Sequence, residues 1–270
     1  MCIILLALIL ILAIVIAIMC TCRKEAFTIP SKDINSAIVF ACYSIDKFDY
    51  EFIKKWCDTA TFYIVVNGNP TEWDDKVKEL SNVRYMRRAN SGYDTTAWKE
   101  AMIRWENELR DYDSVVLANN SCIYAIDLID VLSKADGYDM YGLYKHSKIN
   151  PDILMSNPKY RFLHTYFIVI GKRLYNSGDF KEYWRKMPEI KHHDDACIHH
   201  ENRFSMYFDS LGYRIGVYIC NINPEVIYEA DPRPANAPYR REFVKRKVSK
   251  NVLDEFMEKV YKKHYPNEEI

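Results

Sequence analysis

The sequence predicts an α/β fold with a mostly parallel sheet flanked by helices, and three observations lead to that prediction. Residues 37–86 alternate short apolar segments with helix-patterned segments, in the order strand, helix, strand, helix, strand. Residues 114–118 form an uninterrupted, β-branched apolar run, as expected of a strand buried on both faces. The chain has 270 residues, 49% of them hydrophobic, which is enough for one sizeable core.

Before this domain, residues 2–20 form an apolar run without a charged side chain. At about 1.5 Å per helical residue, such a run crosses the hydrocarbon of a bilayer. It lacks the basic start and the small-residue cleavage site of a secretory signal peptide. We therefore predict a transmembrane signal anchor at residues 1–22 and a linker at residues 23–36. The flanking positive charges follow the run, so the positive-inside rule predicts a single-pass membrane protein with its domain in the cytosol.

The composition argues against two classes of protein. Lys plus Arg equals Asp plus Glu at 37 each, so there is no basic excess of the kind that nucleic-acid-binding proteins carry. The cysteines of the domain are odd in number and scattered, which is typical of reduced thiols in a reducing compartment and not of a disulfide framework.

The elements follow one another along the chain. We predict strands at residues 37–42, 61–66, 83–86, 114–118 and 162–170, and helices at residues 49–57, 73–80, 94–109, 125–132 and 201–211. In the helix at 94–109, Trp98, Ala101 and Met102 belong to one predicted buried stripe, which continues to Trp105 and Leu109. Asp94 or Thr95 is the predicted cap of that helix. Residues 229–270 read as a basic, partly helical tail, whose basic run either binds anionic lipid headgroups or is a solvated helix end.

Two polar segments are the predicted functional part of the domain. Residues 87–94 precede the central helix, and the triplet Asn119, Asn120 and Ser121 follows the buried strand. In open α/β sheets, ligands bind beyond the carboxyl ends of the strands. We therefore predict that this loop and this triplet meet at one pocket. The triplet is alternatively a capped strand-to-loop turn that binds no ligand.

The same segments resemble a known family. The order Arg-x-x-Asn-x-Gly-Tyr-Asp, helix, Asp-Tyr-Asp-x-Val-x-Leu-x-Asn-x-Ser resembles the rhamnan synthesis F family and, more loosely, nucleotide-sugar glycosyltransferases of the GT-A fold. Residues 138–143 look like that family's Asp-Phe-Trp-Gly-Leu segment, residues 164–169 like its Gln-Ser-Tyr-Phe strand, and residues 180–184 like its Phe-x-x-Phe-Trp end.

The resemblance implies a GT-A-like glycosyltransferase domain at residues 37–228. It implies transfer of rhamnose from a nucleotide-sugar donor, such as dTDP-rhamnose, to a polysaccharide or other glycan acceptor. The donor-binding residues that it implies are Arg87, Arg88, Asn90, Gly92, Asp94, Asn119, Asn120 and Ser121. From the residues alone, the two arginines either bind donor phosphates or form a solvated surface pair. Asp94 is either a nucleoside ligand or a helix cap.

Asn120 is where this sequence departs from the family pattern, which has Asp at that position. A carboxylate there holds a divalent cation against the diphosphate leaving group, and an amide oxygen is a poorer ligand. The expected cofactor, Mn²⁺ or Mg²⁺, is therefore in question. The alternative function is a catalytically inactive protein that binds carbohydrate or nucleotide.

The acceptor side carries His146, which either contacts a sugar or phosphate or lies in a surface loop, and His164, for which a sugar contact is predicted. Glu201 is the first choice for the base that removes the acceptor hydroxyl proton, followed by Asp195 and Asp194; each is alternatively a structural carboxylate. The histidines between residues 192 and 200 also suggest a zinc hydrolase, although no known ligand spacing is present.

Overall fold

The computed structural model describes residues 35–143, 162–218, 243–246 and 250–266, all of which belong to one compact unit, Asn35–Ile270. The predicted membrane anchor at residues 1–22, linker residues 23–34 and His146 lie outside the described residues. No helix in the described part of the chain is long and apolar enough to cross a membrane.

The described strands form two sheets. Their bounds are β1 Ser36–Cys42, β2 Thr61–Val66, β3 Val83–Arg87, β4 Ser114–Asn119, β5 Cys122–Tyr124, β6 Met140–Gly142, β7 Phe167–Gly171, β8 Ile215–Val217 and β9 Phe243–Lys245. The larger sheet has the order β3, β2, β1, β4, β7, β6, β8. In it, β7 runs antiparallel to both neighbours, and all other pairs are parallel. The predicted mostly parallel α/β sheet is confirmed.

Helices cover the sheet and link its strands. They are α1 Lys47–Trp56, α2 Glu72–Lys78, α3 Tyr93–Arg104, α4 Glu106–Leu109, α5 Leu128–Ala135, α6 Lys172–Tyr175, α7 Gly178–Lys186, α8 His193–Ala196, α9 Phe204–Ser210, α10 Lys250–Phe256 and α11 Lys262–His264, with π-helical turns at Cys197–Glu201 and Met257–Tyr261. The helix predicted from residue 125 begins only at Leu128, because the Asp127 side chain caps it by accepting from the Asp130 amide (3.1 Å). The strand predicted from residue 162 begins at Phe167, after a turn at Thr165 and Tyr166.

Helix α3 supplies much of the core. Every residue of the predicted stripe is buried, and the stripe packs in one cluster with residues of β1, β2 and β4. The single helix predicted at residues 94–109 is wrong, because α3 ends at Arg104, Trp105 lies between α3 and α4, and Leu109 belongs to α4. The predicted cap is wrong: the residue before the helix is Gly92, and no side chain caps the helix. Asp94 lies inside the first turn, where its carboxylate accepts a hydrogen bond from the Asn119 side chain.

The described part of the C-terminal segment packs on the domain. Strand β9 pairs antiparallel with β5, with Val244 opposite Ile123. Phe256 of α10 and Met257 and Tyr261 of the following π-helical turn are buried against this pair of strands. The tail boundary predicted at residue 228 stays a prediction, because residues 219–242 lie outside the described part of the chain.

Candidate functional site

The order of the strands identifies one position in the sheet as a natural ligand site. From β1 the chain continues to β2 and β3 on one side and later to β4 on the other, so the direction of winding reverses between β1 and β4. Open α/β sheets bind ligands in the crevice at such a reversal, beyond the carboxyl ends of the strands. In the register of the sheet, Ala41 lies opposite Asn119, and the Asn120 amide donates to the Ala41 carbonyl oxygen (3.2 Å). The polar triplet therefore lies at this reversal. We call the carboxyl ends of β1 and β4, with the triplet that follows β4, the carboxyl edge.

Asp94 and Asn119 join the loop before α3 to the end of β4. The Asn119 side-chain amide donates to Asp94 Oδ2, and the Ser121 backbone amide donates to Asn119 Oδ1 (3.1 Å). Asn119 is 5% exposed. Burial raises the pKa of Asp94, while its hydrogen bonds and the nearby His193 act in the opposite direction. The loop and the triplet thus meet as predicted, and a pocket shared by the two stays a prediction.

The backbone at the start of α3 is strained. Gly92 has φ +69° and Tyr93 has φ +54°, so a residue with a side chain occupies the left-handed region. A Cβ atom on Gly92 would lie 1.9 Å from Thr96 Oγ1, so the turn also requires glycine for space. The Tyr93 ring packs edge-on against His193, with 5.9 Å between ring centroids. Strain of this kind is concentrated at ligand-binding sites.

Arg87 is engaged in internal contacts. Its Nη2 lies 2.5 Å from Asp74 Oδ1 and donates to the Tyr85 hydroxyl oxygen (2.9 Å), and its Nη1 donates to the Gly68 carbonyl oxygen (2.8 Å). The Asp74 side chain is buried, and hydrogen bonds from Tyr85 and Thr71, with the charge of Arg87, lower its pKa against the effect of burial. Arg87 thereby ties β3 to α2.

Arg88 is held more tightly still. Its Nε and Nη2 each donate to a Glu100 oxygen at 2.8 Å, a bidentate pair between the loop and α3. Its Nη1 donates to Asn67 Oδ1 (3.0 Å) and to the Ser91 carbonyl oxygen (2.9 Å), and the side chain is 7% exposed. Arg88 fixes the shape of the loop that carries Gly92. A donor-phosphate role for either arginine stays a prediction.

Asn120 turns its amide toward α1. Its Nδ2 donates to the Ser44 carbonyl oxygen (3.0 Å) and to Asp49 Oδ2 (3.3 Å). Arg246 donates to Asp49 Oδ1 (2.7 Å) and pairs with both oxygens of Asp46. We call Asp46, Asp49, Asn120 and Arg246 the Asp49 cluster. It joins the carboxyl edge to the C-terminal segment, where the Arg246 amide also donates to the Ser121 carbonyl oxygen (3.0 Å).

Burial dominates the electrostatics of the Asp49 cluster. It raises the pKa of Asp49 to about 7, while the Arg246 charge lowers that pKa and Asp46 raises it. Asp46 is also the cap of α1, since its Oδ1 accepts from the Phe48 and Asp49 amides (2.9 and 3.0 Å). The cluster thus contains a carboxyl group that titrates near neutral pH, fixed by a helix cap and a guanidinium.

These residues, as positioned, do not fit a divalent cation. Both oxygens of Asp49 accept hydrogen bonds, one from Arg246 and the other from Asn120. In the described part of the chain, no group of three His, Cys, Asp or Glu side chains is placed to hold a metal ion. Dependence on Mn²⁺ or Mg²⁺ stays a prediction that only solution measurements test.

The predicted bases lie on one helical segment. Helix α8 reaches the start of α3 through His193 and Tyr93. Asp195 Oδ2 accepts from the Lys191 and His192 amides (3.0 and 2.9 Å), and these bonds lower its pKa. Asp194 is exposed, with Oδ1 3.7 Å from His193 Nδ1. Glu201 ends the π-helical turn and is half-buried.

Two further histidines pack against aromatic side chains. His200 is fully buried, its Nδ1 is 2.9 Å from the Tyr183 hydroxyl, and burial lowers its pKa to about 3. It packs on Trp98 and Trp184, so it belongs to the core. His164 stacks on Tyr166 with 5.0 Å between ring centroids. Its predicted sugar contact stays a prediction, as does the predicted donor contact of Asn90 in the exposed loop.

Sequence reasoning missed Asp46, Asp49 and Arg246. The spacing Asp46-x-x-Asp49 carried a signal, because it matches a helix cap followed three residues later by a carboxylate that reaches back to the cap. Arg246 carried none, since its partners lie about 200 residues earlier in the chain.

Comparison with known families agrees with the residues at this edge. The model of Rhamnan synthesis protein F matches residues 63–239, which is more than half of the chain. The chain belongs to the rhamnan synthesis protein F family. The matched residues include the strained loop and the polar triplet, so the resemblance predicted from these motifs is confirmed. No curated protein sequence matches the chain significantly.

Solved structures give weaker likenesses. The apo-form glycosyltransferase GlyE of Streptococcus pneumoniae TIGR4 aligns with 16% identity and a TM-score of 0.39, over 66% of this chain and 44% of that one. The chain therefore spans less than half the length of GlyE. HddC of Yersinia pseudotuberculosis aligns with 9% identity and a TM-score of 0.43, over 82% of this chain and 98% of that one. A structure of HddC complexed with GMP-PN aligns over 53% of this chain and 80% of that one, with 9% identity and a TM-score of 0.35.

Proposed function

We propose that this protein is a glycosyltransferase that transfers a sugar from a nucleotide-sugar donor to a glycan acceptor. The observation that carries the proposal is the contact between Asp94 and Asn119 at the carboxyl edge, in a chain of the rhamnan synthesis protein F family. Membership of that family favours rhamnose as the sugar, dTDP-rhamnose as the donor and a polysaccharide as the acceptor.

We place the donor between the residues after β1 and the end of β4. In this arrangement Asp94 and Asn119 form the polar base of the donor site, and Asn120 and Ser121 lie beside the donor phosphates. As the bond between the anomeric carbon and the diphosphate breaks, negative charge grows on the phosphate oxygens and requires a cation or hydrogen-bond donors in place. Three guanidinium groups are the candidates for this electrostatic role, Arg87, Arg88 and Arg246, and each is paired with a carboxylate in the structure: Asp74, Glu100 and Asp49, respectively.

We assign Glu201 as the general base, with Asp195 and Asp194 as the alternatives. The carboxylate takes the proton of the acceptor hydroxyl as the hydroxyl oxygen attacks the anomeric carbon. The new glycosidic bond forms while the bond to the diphosphate breaks, and the nucleoside diphosphate leaves with that electron pair. The strained start of α3 meets the helical segment of Glu201 through Tyr93 and His193, so the proposed base is carried by an element that reaches the carboxyl edge.

Donor binding is tested by thermal shift with a panel of nucleotide sugars. We expect dTDP-rhamnose to raise the melting temperature of the wild type and of Asp113→Ala, and not of Asp94→Ala. Asp113 is the matched control because it is exposed and precedes β4 at the opposite end of the strand. A panel in which no nucleotide sugar stabilises the wild type, or in which Asp94→Ala responds like the wild type, contradicts the proposed site.

The second proposed function is donor binding without turnover. Asn120 favours it, because this amide stands where the family pattern has a carboxylate and its nitrogen is bound to Asp49 and Ser44. Transfer from radiolabelled donor in EDTA separates the two functions. Turnover in EDTA supports the active, metal-independent enzyme. Binding without turnover that becomes manganese-dependent turnover in Asn120→Asp supports the inactive binder.

The proposed location is a membrane surface with the domain in the cytosol. It rests on the apolar run at residues 2–20 and on the positive charges that follow this run. Digestion of the domain by protease added outside sealed microsomes supports this orientation. Protection of the domain inside the microsomes contradicts it.

A further inference from the structure

We propose that a cavity beside α3 binds the inner sugar units of a neutral glycan acceptor, a proposal that rests on the glycosyltransferase function above. The cavity has a volume of about 600 Å³, within the range of roughly 300–1,000 Å³ that is typical of small-ligand sites. One wall is α3 with the loop before it, and the other is the segment from Pro188 to Lys191.

The charges of the cavity select against an anionic ligand. Its lining contains Lys99 and Lys191 together with Glu100 and Glu189. Glu100 is paired with Arg88, and Glu189 lies 3.5 Å from Lys191, so these pairs leave only the single positive charge of Lys99 among the four. A nucleoside diphosphate needs an excess of cations, whereas a neutral sugar needs hydrogen-bonding groups without net charge.

The shape of the cavity is held from both sides. Lys99 Nζ donates to the Met187 carbonyl oxygen (3.2 Å), which bridges α3 and the opposite wall. Apolar surface is supplied by Ile190 and by Ile103, which is 66% exposed. The exposed Tyr93 ring lines the same space. Aromatic and aliphatic faces among polar groups suit the mixed surface of a pyranose ring.

The lining of the cavity includes residues that are next in sequence to the proposed reaction site. Gly92 and Tyr93 line it, and the next residue, Asp94, bonds to Asn119 at the carboxyl edge. On its other side, the wall at Ile190 and Lys191 leads directly into α8. A glycan lying in the cavity would therefore direct its terminal unit past Tyr93, toward the donor and toward the helical segment that carries the proposed base. An inner stretch of acceptor chain is the occupant that this path favours.

Methyl NMR of the full chain in mild detergent tests occupancy without any need for turnover. Ile103 and Ile190 line the cavity, and Ile129, which is exposed on α5, is the internal control. We expect a linear oligorhamnoside or a maltooligosaccharide to shift the methyl signals of Ile103 and Ile190 but not that of Ile129, and dTDP to shift neither cavity signal. If neither glycan moves these two signals, or if Ile129 moves equally, the proposal is overturned.

A pair of matched variants tests the consequence for transfer. Ile103→Trp fills part of the cavity, whereas Ile129→Trp makes the same change on another exposed helix face. We expect Ile103→Trp to raise KM for the oligorhamnoside by about tenfold or more, equivalent to about 1.4 kcal/mol of binding. The donor KM and kcat should stay unchanged, because the lost contact is equal in the ground and transition states. Equal acceptor KM in both variants overturns the assignment. Absence of donor binding in every protein refutes the proposed function instead, while the methyl shifts still decide whether the cavity binds glycan.

Discussion

Removal of Arg246 tests the electrostatics of the Asp49 cluster. Arg246 is the cation that faces Asp49, a carboxyl group whose side chain is 2% exposed. The substitution Arg246→Ala leaves Asp49 with the Asn120 side-chain amide and the Asp46 backbone amide as donors, and it leaves Asp46 with its capping role in α1. The effect on stability should therefore depend on whether Asp49 is ionised.

The sign of the pH dependence follows from the pKa of Asp49. Its folded pKa of about 7 lies above the unfolded value of about 3.9. Folding therefore takes up a proton between these values, so the Asp49 contribution to stability is fully present below about pH 4 and is lost as the pH rises through about 7. Because Arg246 lowers this pKa, Arg246→Ala should raise it further and extend the loss of stability to higher pH.

The magnitude differs between acid and alkaline conditions. Removing one partner of a buried ion pair costs about 3–5 kcal/mol, and Arg246 is 23% exposed, so we expect about 3 kcal/mol near pH 8, where Asp49 is ionised in the wild type. Near pH 5, Asp49 is already protonated and the loss is mainly that of a half-exposed pair with Asp46, about 1 kcal/mol or less.

Urea unfolding followed by tryptophan fluorescence at the two pH values measures both numbers. Arg84→Ala is the control, because Arg84 pairs with Glu108 at 3.5 Å and both side chains are about half exposed; its cost should stay below about 1 kcal/mol at either pH. In the Asp49→Asn background, Arg246→Ala should lose its extra cost near pH 8. A cost of Arg246→Ala that is equal at both pH values, or larger in acid, refutes the reasoning.

Three further predictions concern the helix start, the buried histidine and the base. Gly92→Ala should destabilise the fold by about 1–3 kcal/mol in urea unfolding, since its Cβ meets Thr96 Oγ1 at φ +69°; Gly178→Ala, with no atom within 4 Å, should change stability little. His200→Phe should make the stability less dependent on pH in acid, because burial lowers the pKa of His200 to about 3. In the wild type, the stability that this histidine contributes above its unfolded pKa of about 6.5 is lost as the pH falls toward 3. An acid sensitivity equal to that of the wild type contradicts this. Glu201→Gln should lower kcat by about 100-fold or more without changing donor affinity, whereas Asp209→Asn, exposed on α9, should leave both unchanged; a wild-type kcat in Glu201→Gln removes it as the base.

The sheet was predictable because its information is local. Runs such as residues 114–118 show burial on both faces through composition alone, and the stripe through Trp98 shows one helix face through spacing. The contact between Asp94 and Asn119 was predictable at the level of the two loops, since parallel strands bring their carboxyl ends to one edge. These inferences needed only periodicity and strand direction.

The remaining details depend on contacts between distant parts of the chain. In the sequence, Arg87 and Arg88 look alike as phosphate ligands. Their ion pairs with Asp74 and Glu100, respectively, are seen only in the structure. The cap at Gly92 was misassigned because a left-handed glycine, rather than a side chain, begins the helix. Strands β5 and β9 are separated by about 120 residues in the sequence, so no local pattern predicts that they pair.

The pairing of β9 with β5 has a consequence for biosynthesis. Strand β5 and the triplet are synthesised before Val244 and Arg246, which pair with Ile123 and with the Ser121 carbonyl oxygen, respectively. A chain still on the ribosome can form the parallel strands and the start of α3 while Asp49 has no counter-charge. The carboxyl edge is therefore completed only after Arg246 has been synthesised.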